Sequence, residues 1–234
     1  MEKCVNEDSG DDEPSDIGDP TEPDNGDSTE PDNGDSTPIN PGVEIPESCR
    51  AIGITDESDR AYIDLVAYNQ LRLRIHNEKR RLHQNTPDLE FDLDIACQAQ
   101  YWALEHAKRV QELAGTSVDG GDRLVHYNEL DLTPLNPRQG ENLAWRWRAP
   151  ALGANEDWEE EGWYDREEPN YNYATGGSNG GVIGHFTQMV WDDTSKLGCG
   201  ISKTDEALTI RGRDWNGESE YSVCRYVTPG NWRG

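Results

Sequence analysis

Positive charge is the scarcest commodity in this chain. Its 234 residues carry 21 Lys and Arg against 47 Asp and Glu, a formal net charge of −26. That balance excludes nucleic acid as a partner, because binding a phosphate backbone needs a basic face, and it argues against simple adsorption on anionic lipid. Long apolar runs are missing as well. No stretch of about 18 apolar residues is present and no signal-type hydrophobic segment, so nothing reads as a membrane span. An exported product is therefore expected to have lost its leader. Five cysteines occur (Cys4, Cys49, Cys97, Cys199 and Cys224), but no C-x-x-C pair, which speaks against a zinc ribbon or a thioredoxin-type site. The local H-E-x-x-H and EF-hand patterns are absent too.

What is present divides the chain in two. Residues 1–48 hold sixteen acids and the single base Lys3, and residues 18–37 nearly repeat the octet GDSTEPDN. Such a segment buries too little apolar surface to offset its ordering entropy, so residues 1–48 are expected to be a disordered, self-repelling linker. It suits two roles, a membrane or surface tether and a solubilising tail. Cys4, directly ahead of the spacer, is a candidate lipid-anchor position, although Met1-Glu2-Lys3 lacks the apolar segment export requires.

Residues 49–234 read as one folded domain. Tyr62, Leu65, Val66, Asn69, Leu73, His76 and Arg80 recur at helical spacing between about 58 and 84. A second helix follows Pro87, with Leu93, Ala96, Ala103, Ala107 and Val110 on one face. Leu124–Tyr127 is apolar enough to be buried, and residues 156–168 suit a third helix. The segment Gly184-His185-Phe186-Thr187-Gln188-Met189-Val190-Trp191 reads as a short helix burying Phe186, Met189 and Val190. Strands are expected at 198–203, 207–212 and 219–227, with a turn at Asp214-Trp215-Asn216-Gly217. Helices first and a meander last give an α+β domain with an antiparallel sheet. Cys199 and Cys224 lie in strand-like runs that, side by side, bring the sulfurs into bonding range; buried free thiols remain the alternative.

Four polar residues stand in segments otherwise built for burial or tight turning: His126, Glu141, Glu167 and His185. A lone histidine on a short helix is ordinarily a satisfied structural group. Two histidines and two glutamates converging in one cavity would suit a divalent metal, zinc first.

Gly184–Trp191 with the following Asp192–Gly200, and Val223-Cys224-Arg225-Tyr226-Val227-Thr228-Pro229-Gly230-Asn231-Trp232, resemble the two signatures of the CAP superfamily. This superfamily includes cysteine-rich secretory proteins, insect venom antigens and plant pathogenesis-related proteins. His76-Asn77-Glu78-Lys79-Arg80 resembles its first-helix pattern and Gly140-Glu141-Asn142-Leu143 its G-E-N-L turn. The resemblance implies an α–β–α sandwich around a central antiparallel sheet, and a cleft lined by His126, Glu141, His185 and a second glutamate. The family's W-Y-x-E spacing places Arg166 at that last position; a one-residue insertion makes Glu167 the counterpart and Glu168 the reserve. The resemblance also implies a Cys199–Cys224 disulfide, while Cys49 and Cys97 match no common family pair. His76 and Asn77 read as structural groups.

Two functions follow from this reading. One is an extracellular or surface-tethered module holding a lipid, peptide or glycan, with Trp145, Trp147, Trp163, Tyr164, Tyr171 and Tyr173 as an aromatic rim for an amphipathic ligand. The other is a metal-dependent hydrolase, with His126 and His185 on the metal and Glu141 as general base.

Overall fold

A computed structural model describes residues 43–118, 124–127, 135, 137–147, 156–210 and 212–231. The tail up to residue 42 with Cys4, the Gly/Asp-rich turn at 119–122, most of the proline-rich loop after it and Trp232 lie outside the described residues. The elements run α1 (Glu47–Ala51), α2 (Arg60–Arg80), β1 (Glu90–Phe91), α3 (Leu93–Glu112), β2 (Ser117–Val118) and β3 (Gly140–Trp147). There follow α4 (Trp158–Glu160), β4 (Tyr171–Asn172), β5 (Gly177–Ser178), α5 (Gly184–Met189), β6 (Lys196–Ile210) and β7 (Arg213–Val227). No helix among the described residues is long and apolar enough to cross a membrane.

The central sheet has the order β1-β6-β7-β3, with β2 also on β6. Its three long strands are antiparallel, whereas the two-residue strands β1 and β2 pair parallel to β6. Helices cover both faces, so the layers are α–β–α. Alternation along β6 and β7 divides the core. Leu197, Cys199, Cys224 and Tyr226 pack with Trp163, Phe186 and Met189 on one face. On the other, Val223 packs with Ala99, Trp102 and Ala103 of α3 and with Leu143 of β3.

Two details explain the Gly-Cys-Gly run. The small residues Ala96, Ala99 and Ala103 let the backbone of α3 lie directly on β6. A Cβ on Gly198 would stand 2.2 Å from the Ala96 nitrogen, and one on Gly200 2.3 Å from the Gln100 Cα, so only glycine fits there. The edge of β6 between its two short partners is closed by amides instead of a strand. Asn69 donates to the Cys199 carbonyl at 2.8 Å and accepts from its N–H at 2.7 Å; Gln100 does the same for Ile201 at 2.8 and 3.0 Å. Two side chains thereby satisfy backbone groups that would otherwise template aggregation.

Cys199 and Cys224 face each other in register and are bonded, and Cys49 is bonded to Cys97, tying α1 to the second turn of α3. The packed core begins upstream of α1, where Ile45 is buried against this second bridge.

Four expectations need correction. The 207–212 segment is not a separate strand but the continuation of β6, and the hairpin turns at Gly212, whose φ of 76° suits glycine. The Asn216-Gly217 pair lies inside β7, held there by pairing along the whole ladder. Residues 156–168 form a single turn of α-helix followed by a π-helical turn at Glu161–Asp165, and Pro169 then fixes a 3₁₀ turn at Glu168–Asn170. The Leu124–Tyr127 segment is half-buried rather than buried.

If the α3–β6 contact is backbone on backbone, Gly200→Ala should cost about 1–3 kcal/mol through overpacking. Denaturant unfolding of the two proteins measures this, and an unchanged midpoint would mean that α3 can move away freely.

Candidate functional site

The site is built on two neighbouring residues of β3. Glu141 lies opposite Arg225 on β7, and Arg225 Nε donates to its Oε2 at 3.1 Å. The other oxygen accepts from the Tyr127 N–H at 3.0 Å and lies 3.0 Å from His126 Nδ1. The Arg225 guanidinium also sits 4.7 Å from the Tyr127 ring centroid, so the segment carrying His126 is held by charge and ring together. Burial by itself would raise the Glu141 carboxyl; the His126 hydrogen bond, the Arg225 charge and the Tyr127 N–H outweigh it and hold the carboxyl below the ordinary glutamate range.

Asn142 is the next residue and points to the opposite face of the strand. Its amide donates to the His185 carbonyl at 3.1 Å and to the Tyr226 hydroxyl at 3.2 Å. Helix α5 buries Phe186, Gln188 and Met189, and its first N–H groups are satisfied by a side chain from outside the helix. Glu167 Oε2 accepts from the N–H of His185 at 2.9 Å and of Phe186 at 3.1 Å, while Oε1 lies 2.5 Å from His185 Nδ1. Trp163 lies nearly parallel to the imidazole, 6.3 Å away at 20°, and donates its own N–H to the Leu143 carbonyl at 3.0 Å. At the far end of α5, Arg80 donates to the carbonyls of Met189 (2.7 Å), Trp191 (3.0 Å) and Thr194 (3.1 Å). Burial pushes this guanidinium down to about 10, low for arginine but still charged near neutrality.

The four residues singled out in the sequence therefore meet as two pairs, His126–Glu141 and His185–Glu167, flanking one end of β3. Both have the same construction. The carboxylates are almost wholly covered, at 7% and 8% side-chain exposure, while the imidazoles are open, at 41% and 31%. An ionised carboxylate only accepts, so Nδ1 carries the hydrogen in each ring and Nε2 is left as the acceptor nitrogen. Glu168 is engaged elsewhere, accepting from the Tyr173 hydroxyl at 2.7 Å, so Glu167 is the residue paired with His185.

A metal must be weighed against this geometry. Among the described residues no group of three or more His, Cys, Asp or Glu side chains is arranged to hold an ion. The donor set is two imidazoles, each with a carboxylate behind it. That chemistry fits an open site completed by water or a ligand, not a closed structural one.

The expected aromatic rim is dispersed. Trp163 is buried over His185, and Trp145 packs with Val110 and Tyr221 on the α3 face. Tyr164, Tyr171 and Tyr173 line a separate groove. Asn142, Arg225 and Tyr226 hold the site together, and sequence reasoning passed over them. Their only signal is their place inside the G-E-N and C-R-Y runs. His76 and Asn77 are structural: His76 reaches the Tyr226 hydroxyl at 2.9 Å, and Asn77 brackets Leu89 with bonds to its carbonyl and from its N–H.

Comparison with known proteins gives consistent matches. The family model described as cysteine-rich secretory protein family, CAP, matches residues 73–226. A salivary antigen-5 from Dipetalogaster maximus is 31% identical over 181 residues, spanning 71% of this chain and 64% of its own length. A probable pathogenesis-related protein from Candida albicans is 30% identical over 187 residues, 80% of this chain and 72% of its own length. Among solved structures, NaASP2 with Zn2+ aligns at a TM-score of 0.43 and 21% identity, over 70% of this chain and 81% of that one.

Glu141→Gln should cost about 3–5 kcal/mol at neutral pH, because it leaves Arg225 buried without its counter-charge. The pH dependence has a defined sign. A carboxyl depressed on folding stabilises above its unfolded value, and that contribution is lost as pH falls through the lower folded value. Wild type should therefore lose stability from about pH 4.5 downward more steeply than Glu141→Gln. Denaturant midpoints from neutral to acid pH check this; parallel profiles would mean the carboxylate is not held by its partners.

Proposed function

The chain belongs to the cysteine-rich secretory protein (CAP) family, and on that footing we propose that it works outside the cell as a binding module, holding an amphipathic small molecule or peptide against its two histidine–glutamate pairs. One observation carries the reading: two exposed imidazoles, each oriented through Nδ1 by a buried carboxylate. Carboxylates in that position fix the tautomer and strengthen the ring as a ligand. In this proposal His126 and His185 hold a divalent metal, zinc by chemistry, while Glu141 and Glu167 keep the rings in place. The bound metal would supply a Lewis-acid point for a carboxylate, carbonyl or phosphate group of the ligand.

The geometry supports binding over hydrolysis. A general base must have its carboxylate open to a proton. Glu141 is taken up by three donors and held below the ordinary range, which makes it a weak base. Glu167 is equally committed, to two N–H groups and a ring.

Calorimetric titration with zinc tests the proposal on the full chain. His185→Ala should remove binding, and Glu167→Gln should weaken it about 10- to 100-fold, as loss of a supporting carboxylate does elsewhere. Equal zinc affinity in all three proteins would overturn the metal assignment. Zinc-dependent turnover of a peptide or ester panel would overturn the binding role.

A further inference from the structure

A groove of about 710 Å³ opens between the end of α2, the π-helical turn, the β4–β5 hairpin and the end of α5. None of His126, Glu141, Glu167 or His185 lines it. Its walls include the rings of His83, Tyr164, Tyr173 and Trp191. Tyr173 lies parallel to His83 at 6.3 Å and 16°, and the Tyr164 hydroxyl is 2.6 Å from His83 Nε2. These contacts hold the rings as a fixed wall.

The charges along this wall have one sign. Glu168 and Asp192 line the groove, and among the described residues no lysine or arginine does. Burial pushes the His83 imidazole below its ordinary value, with Glu168 pulling it up and Arg80 pressing it down, so the ring is neutral at physiological pH. Burial also raises both phenols, Tyr164 to about 12, and they stay uncharged. The nearby bases are engaged elsewhere: Arg80 with backbone carbonyls, Arg81 with Asp88, and Lys79 with Asp165 at 2.6 Å. Lys79 Nζ lies 4.7 Å from the Tyr164 ring centroid, so this ring already takes one ammonium.

Aromatic walls and two carboxylates, with each nearby base already paired to an acceptor of its own, are the chemistry that recognises a positively charged organic group. A net charge of −26 also raises the local concentration of cations. We propose that this groove is a second binding site, for a quaternary ammonium ion of the choline type. A methylated ammonium suits it better than a lysine side chain, whose compact charge is strongly hydrated and requires several acceptors.

Saturation-transfer NMR on the full chain tests this with choline chloride and with its neutral carbon isostere, 3,3-dimethylbutan-1-ol. Choline should bind saturably and at least about threefold more tightly than the isostere. Tyr173→Ala, at a ring 61% exposed and so safe for folding, and Glu168→Gln should each weaken choline about three- to tenfold. Equal binding of choline and the isostere would overturn the proposal, since the groove would then be merely apolar. So would tighter binding of Nα-acetyl-lysine amide than of choline, or no binding of choline at all.

Discussion

The rest of the structure depends on one buried cation. Arg72, in the middle of α2, has no access to water and sits between Glu159 and Glu160, both fully buried. Its guanidinium donates to both carboxylates and to the Glu156 carbonyl. Enclosing three charges is expensive unless they are paired, and breaking such a cluster leaves charge stranded in low dielectric. Burial raises the Glu159 carboxyl to about 7, Arg72 pulls it down and Glu160 pushes it up again. The short acidic segment 156–160 is thus fixed to α2 by charge rather than by helix propensity.

From Arg72 a line of hydrogen bonds leads to the site. The Arg72 carbonyl accepts from His76 Nδ1 at 2.9 Å, which leaves Nε2 as acceptor for the Tyr226 hydroxyl at 2.9 Å. That hydroxyl accepts from Asn142, whose amide also holds the His185 carbonyl. Four elements that share no sequence neighbourhood, α2, β7, β3 and α5, are joined along this line. Arg80, two turns beyond Arg72 on α2, fixes the other end of α5. The position of His185 is inherited from α2 at both ends of its helix, which explains why a polar face serves as the buried face of α2.

This arrangement also explains what could be read from the amino acids. The helices around Leu65 to Arg80 and Ala96 to Val110 and the Phe186/Met189 stripe were legible, because periodicity is a local signal; strand-like runs allowed a Cys199–Cys224 bridge, and the family resemblance implied it. The segment 156–168 was not. Residues 156–168 read as a third helix, whereas the burial of Glu159 and Glu160 depends on an arginine 87 residues before Glu159. The hairpin turn was misplaced because Asn216-Gly217 has strong local turn chemistry, which a ladder running from Lys196 to Val227 overrides. The Cys49–Cys97 bridge joins two helices 48 residues apart and left no pattern to find. At the site, His126 lies outside any regular element; its place in an otherwise apolar run singled it out, and the family resemblance assigned it to the cleft. Asn142, Arg225 and Tyr226 act across strands, which spacing along the chain does not record.

The most direct test of the line from α2 to the site is a double-mutant cycle on unfolding free energy with Tyr226→Phe and Asn142→Ala. If the hydroxyl and the amide act as one network, the two losses should be non-additive, with a coupling of about 0.5–3 kcal/mol. Strict additivity would mean that Tyr226 and Asn142 act independently, and it would contradict the claim that α2 positions His185 through them.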